Sequence, residues 1–222
     1  YVKNDPVYEE LLNTNENWSQ INSNINGVSY RGSSGMSVSL SSDGTIVAIG
    51  EPHWNYISST DRTTDRGIVK IYQKNNSSWS EIGSLQGIRN QDLAGYSVSL
   101  SSDGTRVAIG APQTSKPSPN TGYVRIYNRN GSSYSQIGYI TGENNSDRYG
   151  TSVSLSSDGA TVAIGGILND DNGAQSGHVR VYQYNGSSWN KLGNDIDGEA
   201  AGDRSGWSVS LSSDGTIVAI GA

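Results

Sequence analysis

The chain has 222 residues, a formal net charge of -6 at pH 7, 28 glycines and no cysteine. The lack of cysteine excludes disulfides, thiolate metal centres and cysteine nucleophiles, and the acidic balance argues against nucleic-acid partners. No apolar run approaches the about 20 residues of a membrane helix, so we expect no membrane insertion by this segment. The first residue is Tyr1 rather than Met, and we expect a processed chain or a part of a longer one.

Two stretches precede the first well-defined strands. Val7 to Leu12 is ambiguous, and we interpret it as a degenerate strand. Trp18-Ser19-Gln20-Ile21 matches segments that recur later in the chain around Trp79, Tyr134 and Trp189. These matches predict that the chain begins inside a repeating unit.

The chain then repeats one motif four times. Ser-Val-Ser-Leu-Ser-Ser-Asp-Gly leads into Val-Ala-Ile-Gly in every copy, and the copies begin at Ser37, Ser97, Ser152 and Ser208. Alternating polar and apolar residues predict one strand on each side of the Asp-Gly turn. A third strand, such as Gly122 to Tyr127, and a fourth, such as Tyr134 to Gly138, complete each unit. Four-stranded units in series predict an all-β protein, a β-propeller of antiparallel blades.

The phase of the termini predicts four blades in a single domain spanning residues 1–222. The units cover approximately residues 35–94, 95–149, 150–205, and 206–222 together with 1–34. The fourth blade is therefore expected to take two strands from each end of the chain, which would leave few unprotected sheet edges. An open linear array of blades is the rival arrangement.

These motifs resemble the FG-GAP repeat, which builds the propeller head of integrin alpha chains and many extracellular proteins. The resemblance lies in Gly-X-Ser-Val-Ser-Leu, Asp-Gly, the segment Val107 to Pro112, and Gly-X-Val-Arg-Ile-Tyr. The Asp-Gly hairpin is also similar to the central hairpin of WD40-type repeats. The FG-GAP resemblance implies an extracellular or cell-surface protein, although integrin-like members usually have seven blades rather than four.

The resemblance also raises the question of calcium. FG-GAP blades often carry Asp-X-Asp-X-Asp-Gly between their first two strands, but each hairpin here has one carboxylate, too few for an ion that takes about 6–8 oxygens. We therefore predict that four aspartates form turns: Asp43, Asp103, Asp158 and Asp214. One acidic loop could hold Ca²⁺ weakly or be a solvated turn, and its residues are Asn169, Asp170, Asp171 and Asn172. No other cofactor is expected.

Two faces of the propeller are expected to differ. One carries the short turns, where Asn-X-Ser sequences match N-glycosylation acceptors and are also good turn formers. The candidate sites for a glycoprotein are Asn17, Asn75, Asn76, Asn130, Asn144 and Asn185. The other face carries variable loops, and we predict ligand or partner binding at His53, Trp54 and Tyr56. The alternative is that Trp54 covers its own loop.

The leading prediction is a non-catalytic extracellular module with a structural or cell-adhesion role, which binds protein partners or assembles with itself. The alternative is a carbohydrate-binding, lectin-like propeller. We predict that the chain is not an enzyme, because it has only two histidines, in different units, and no nucleophile elbow or P-loop. The recurring Asp147-Arg148 and Asp203-Arg204 pairs are interpreted as loop-ordering or ion-pair residues.

Overall fold

The computed structural model describes residues 20–29, 32–54, 65–76, 78–113 and 121–222. These ranges contain fourteen strands and no helix, so the all-β prediction is confirmed. The strands form three four-stranded antiparallel sheets and one two-stranded sheet, each of which is a blade of a propeller-type array. Within the described ranges there is accordingly no long apolar helix of the kind that crosses a membrane.

Each blade takes its strands in chain order, so neighbours along the chain are neighbours in the sheet. The first blade consists of β1 (Ser37–Leu40), β2 (Ile46–Glu51), β3 (Ile68–Lys74) and β4 (Trp79–Gln86). The second consists of β5 (Ser97–Leu100), β6 (Arg106–Ala111), β7 (Tyr123–Asn130) and β8 (Ser133–Thr141). The third consists of β9 (Tyr149–Leu155), β10 (Thr161–Gly166), β11 (His178–Tyr184) and β12 (Trp189–Asp197). The two-stranded fourth sheet consists of β13 (Ser208–Leu211) and β14 (Val218–Gly221).

The Asp-Gly turn fixes the first hairpin of every blade. In the first copy, Asp43 Oδ1 accepts hydrogen bonds from Ser41 Oγ at 2.6 Å and from the backbone N–H of Thr45 at 3.0 Å. The glycine that follows, Gly44, has a φ of 69°, which residues with a Cβ adopt at a cost. The other three copies repeat these bonds, which confirms the turn role of Asp43, Asp103, Asp158 and Asp214.

Adjacent blades approach each other closely where the second strand of a blade carries glycine. A Cβ on Gly50 would overlap the backbone carbonyl of Gly95 in the following repeat, and Gly110 stands in the same relation to Gly150. Small residues at these positions therefore let neighbouring blades pack together. The close approach also brings backbone and serine hydroxyl groups of neighbouring blades within hydrogen-bonding distance.

The apolar core lies between the blades rather than within any one of them. One cluster joins Ile71 of the first blade to Val98 of the second, and another joins Val124 of the second to Val153 of the third. Each blade therefore buries its faces only against the blades on either side.

Aromatic residues of the fourth strands complete this core. Tyr134 packs against the first cluster and Trp189 against the second. The ring of Tyr134 lies over Gly83, and the ring of Trp189 lies over Gly138, where a Cβ would collide with it. Core packing is therefore the role of these aromatic residues.

The predicted sharing of one blade between the two ends falls mostly outside the described residues. Val7 to Leu12 and Trp18 lie outside them, and Gln20 and Ile21 are not in a strand, although the repeat phase predicts one there. Among the described elements, β13 and β1 do not pack side by side as β1 packs on β5 and β5 on β9. Closure into a ring of four blades stays a prediction.

Candidate functional site

The first blade exposes an apolar face that the repeat normally covers. Val38 and Leu40 of β1 are 64% and 55% exposed, whereas their counterparts Val98 and Leu100 are 8% and 7% exposed. The second-blade residues are covered by the preceding blade, whose Ile46 belongs to the same cluster. We call this surface the first-blade end face; it consists of the exposed Val38 and Leu40 and the half-buried Val47 and Ile49.

The opposite end of the array exposes the other half of the same contact. Ile217 is 69% exposed and Ala219 is exposed, while their first-blade counterparts, Ile46 and Ala48, are 3% and 0% exposed. Ile46 and Ala48 are buried because they face the following blade. Ile217 and Ala219 form the last-blade end face.

Polar groups at the two ends are complementary as well. Between the second and third blades, Ser97 Oγ donates to the carbonyl of Gly150 at 2.9 Å, and Ser99 Oγ accepts from the N–H of Leu155 at 2.9 Å. The corresponding serines of β13 are exposed. A further blade packed against either end face would therefore find groups ready to form hydrogen bonds. They are the exposed serines of β13 at one end and the outward N–H of Leu40 at the other.

The variable loop predicted to bind a ligand is only partly described. His53 Nδ1 lies 2.8 Å from Asp65 Oδ2, so the histidine is tied to the end of its own loop. Trp54 is half-buried, and its backbone N–H donates to the carbonyl of Glu51 at 3.1 Å. Tyr56 lies outside the described residues. Binding by His53, Trp54 and Tyr56 together therefore stays a prediction.

The candidate glycosylation sites are accessible wherever they are described. Asn17 lies outside the described residues, and the remaining five side chains are exposed: Asn75, Asn76, Asn130, Asn144 and Asn185. Asn185 Oδ1 accepts hydrogen bonds from the N–H groups of Ser187 and Ser188, which is the turn role that the sequence also suggested. Glycosylation stays a prediction.

The acidic loop before β11 uses three of its four candidate calcium ligands to order itself. Asn169 Oδ1 accepts from the N–H of Asp171, Asp170 Oδ1 accepts from the N–H of Gln175, and Asn172 Nδ2 donates to the carbonyl of Gly198. The side chain of Asp171 instead lies near a histidine and two further carboxylates. Calcium binding by the four loop residues together stays a prediction.

This third-blade cluster consists of Asp171, His178, Asp195 and Asp197, and one ligand atom from each lies within 4.8 Å of the others. Burial, followed by repulsion from Arg180, lowers the pKa of His178 to about 4, so its ring is neutral at pH 7. Burial opposes ionisation of Asp195, but hydrogen bonds from Arg180 and Lys191 lower its pKa to about 2.

The members of this cluster are far apart in the chain, so the sequence pattern does not place them together. Of the four, only Asp171 is among the residues that the sequence predicts as metal ligands. Alignment of the repeats contains the signal that could have found it, since the position of His178 holds Ile68 in the first repeat and Tyr123 in the second. A histidine at a position that is otherwise apolar or aromatic marks a departure from the repeat.

Comparison with known proteins supports the repeat assignment. Residues 142–182 match the sequence model of the FG-GAP repeat, which covers the linker into the third blade and its strands up to β11. The predicted resemblance is therefore confirmed for this repeat, and the chain contains a β-propeller repeat module. No curated protein matches the chain in sequence.

Solved structures resemble the chain in fold. A candidate 6-phosphogluconolactonase from Bacteroides uniformis gives a TM-score of 0.51 at 15% identity, over 83% of this chain and 46% of that one. A second candidate 6-phosphogluconolactonase, from Bacteroides fragilis, gives 0.47 at 13% identity, over 73% and 40% of the two chains. Sqt1 from Saccharomyces cerevisiae gives 0.46 at 14% identity, over 78% and 38%. The chain thus spans less than half the length of these structures.

The first of these structures corrects one prediction. We predicted that the chain is not an enzyme because familiar catalytic motifs are missing, yet the Bacteroides uniformis structure that it resembles carries the name of an enzyme. Missing motifs are therefore not a sound basis for excluding catalysis on this fold, and that prediction is wrong. At 15% identity the likeness shows the fold alone, so no reaction or substrate is transferred to this chain.

Proposed function

We propose that this chain is a β-propeller repeat module that associates end to end with a second copy of itself, in an extracellular or cell-surface assembly. The observation that carries the proposal is the 64% exposure of Val38, against 8% for Val98 at the same position of the next repeat. Such a surface is stable in water only at a cost, and exposed apolar patches of this kind mark interaction sites.

The occupant follows from the repeat itself. Inside the array, the face equivalent to the first-blade end face is covered by the residues equivalent to the last-blade end face. The first and last of the described blades therefore carry the two halves of an interface that the fold already builds between its own blades. Because the two halves differ, the contact is head-to-tail, which produces rings or open filaments rather than symmetric dimers.

The extracellular setting is supported by two further features. Five Asn-X-Ser candidates are exposed in the described residues, and the repeat resembles one that is common in extracellular proteins. A structural or adhesive role would follow from assembly in that setting. Mass analysis of the natively produced protein tests the setting, because a chain without any glycan mass at these sites would remove its main support.

Sedimentation over a concentration series tests the association. We expect the wild-type chain to associate as its concentration rises, and we expect Val38→Asp and Ile217→Asp each to remain monomeric. An equimolar mixture of these two variants should form one-to-one dimers that do not grow, because each supplies the intact face that the other lacks. Leu192→Asp, at a residue of β12 that is 42% exposed, is the matched control and should associate like the wild type.

Three results would overturn the proposal. If the wild-type chain stays monomeric at every concentration, the end faces do not mediate self-association. A mixture of the two variants that stays monomeric would show that the faces do not meet between copies. A monomeric wild type that is destabilised by Val38→Asp as strongly as by a core substitution would show that the face is covered within its own chain.

A further inference from the structure

The third-blade cluster has the geometry of an ion site. His178 begins β11 and Asp197 is its cross-strand partner on β12. Asp195 lies on the same face of this ladder, with its Oδ2 3.9 Å from His178 Nδ1, and Asp171 reaches the cluster from the loop before β11. Two atoms separated by 3.9 Å are too far apart to share a hydrogen bond, but they can bind one ion at about 2.0–2.2 Å each.

The buried histidine is the independent sign of a missing ligand. His178 is 0% exposed, and neither ring nitrogen has a hydrogen-bond partner in the described part of the chain. Nε2 lies against Gly166, where a Cβ would come within 2.8 Å of it, so Nδ1 is the nitrogen that faces the carboxylates. Buried polar groups are almost always paired, and each exception calls for an explanation.

The charges around the ring favour a cation. Arg180 pairs with Asp195 at 2.5 Å and with Glu143 at 2.7 Å, and Lys191 pairs with the other oxygen of Asp195 at 2.7 Å. These two basic residues balance two carboxylates. The other two carboxylates of the cluster form no ion pair with any described residue, which leaves two negative charges beside the imidazole.

We propose that the third-blade cluster binds one divalent transition-metal ion, of which Zn²⁺ is the best representative. Imidazole nitrogen combined with carboxylate oxygen suits such ions, whereas Ca²⁺ takes oxygen ligands only. His178 Nδ1 and one oxygen from each of the three aspartates are the ligands. Each carboxylate oxygen has two lone pairs, so Asp195 binds the ion without leaving Arg180.

The other repeats show that the blade does not need this cluster in order to fold. The cross-strand pair His178 and Asp197 corresponds to Ile68 and Gln86 in the first blade and to Tyr123 and Thr141 in the second. Neither of those pairs contains a carboxylate or an imidazole, yet both blades have the same four strands. The residues of the cluster are therefore a local addition to a scaffold that is complete without them.

Calorimetric titration of the chelator-treated chain with Zn²⁺ tests the proposal. We expect one ion per wild-type chain, and at least tenfold weaker binding for Asp171→Asn and for Asp197→Asn. Both of these side chains are exposed, so these variants should fold normally. Glu199→Gln, which removes one exposed negative charge from the adjacent loop, is the control and should bind like the wild type.

The two histidines allow a second, spectroscopic readout. Only the ring-nitrogen resonances of His178 should move on Zn²⁺ addition, and His53→Gln should leave binding intact while His178→Gln abolishes it. The proposal fails if the wild-type chain binds no Zn²⁺, if both aspartate variants bind as tightly as the wild type, or if binding depends on His53 rather than His178. Ca²⁺ binding of equal strength would also overturn the assignment to a transition metal.

Discussion

The carboxylate of Glu51 fills the space that a side chain at position 32 would occupy, because a Cβ on Gly32 would overlap Glu51 Oε1. Glu51 is 2% exposed. Its oxygens accept hydrogen bonds from the N–H groups of Val28 at 3.3 Å and Ser29 at 3.2 Å, and from Ser29 Oγ at 2.7 Å. One buried side chain therefore orders the linker that leads into the first blade.

In the later repeats, an aspartate at the position equivalent to Gly32 orders the linker. Asp92 Oδ2 accepts from the N–H groups of Ile88 and Arg89, and Asp147 and Asp203 bind their own linkers in the same way. This confirms that the recurring aspartates are loop-ordering residues. In the first repeat the carboxylate comes from Glu51 instead of from position 32, but it accepts the equivalent hydrogen bonds from the linker.

Replacing Glu51 by alanine should leave the linker N–H groups without a partner in a partly buried place. We expect Glu51→Ala to lower the free energy of unfolding by about 1–3 kcal/mol, because donors removed from water without partners are costly. Gly32→Asp alone should also destabilise, because its side chain collides with Glu51. The double variant should recover at least about 1 kcal/mol relative to the sum of the two single changes.

Urea unfolding of the four proteins measures this coupling directly. Glu51→Gln is the control, since it keeps the shape and one acceptor oxygen while removing the charge, and it should cost less than Glu51→Ala. Additive effects of Glu51→Ala and Gly32→Asp would show that the two positions do not substitute for each other.

The parts of this fold that depend on neighbouring residues could be predicted from the sequence. The Asp-Gly hairpins and the four strands of the first three blades follow from local pattern and repeat phase. The exchange between Gly32 and Glu51 could not be predicted, since it depends on a contact between a linker and the end of another strand.

The candidate sites were harder to predict for the same reason. His178 and Asp197 are brought together by strand pairing, and the repeat pattern alone does not say which side chains share a face after the bulge in that ladder. The exposure of Val38 could not be predicted either, because the sequence around Val38 is identical to the sequence around the buried Val98. Only the position of a blade in the array distinguishes two identical motifs.

The glycines at the ends of the second strands offer a matched test of blade packing. We expect Gly110→Ala to cost about 1–3 kcal/mol, because its Cβ would overlap the backbone carbonyl of Gly150, which cannot move aside easily. Gly221→Ala should cost less than about 0.5 kcal/mol, because its Cβ meets only the side chain and backbone of Ser208.

Both stabilities should be measured by urea unfolding at a dilution where the chain is monomeric. At higher protein concentration, Gly221→Ala should weaken end-to-end association, because the equivalent glycines of earlier blades, Gly50 and Gly110, contact the following blade. Equal costs for the two substitutions in the monomer would show that the interblade contact does not restrict the size of residue 110.

A second matched pair tests the serine contacts between blades. Ser154 Oγ accepts the N–H of Leu211 at 3.0 Å, whereas the equivalent Ser210 is exposed at the last blade. We expect Ser154→Ala to cost about 1 kcal/mol and Ser210→Ala to be neutral in the monomer. Hydrogen exchange of the Leu211 amide should accelerate in the first variant and stay unchanged in the second, and equal exchange in both would refute the contact.

The turn aspartates allow a prediction of how the free energy of unfolding depends on pH. In the third blade, the hydrogen bond from Ser156 Oγ is the main cause that lowers the pKa of Asp158, followed by the N–H of Ala160. A carboxyl whose pKa is lower in the folded state contributes stability above the unfolded value of 3.8, and that contribution is lost as pH falls through the folded value. We therefore expect the free energy of unfolding to fall on acidification below about pH 4.

Ser156→Ala tests this account because it removes the main cause of the shift. The pKa of Asp158 should rise toward 3.8, and the part of the acid dependence that comes from Asp158 should shrink, while stability at pH 7 falls by about 1 kcal/mol. Ser157→Ala is the control, since Ser157 Oγ pairs with Ser213 Oγ and not with the aspartate. Carboxyl NMR titration reads the pKa directly, and an unchanged Asp158 value in Ser156→Ala would mean that the backbone N–H alone holds the carboxylate ionised.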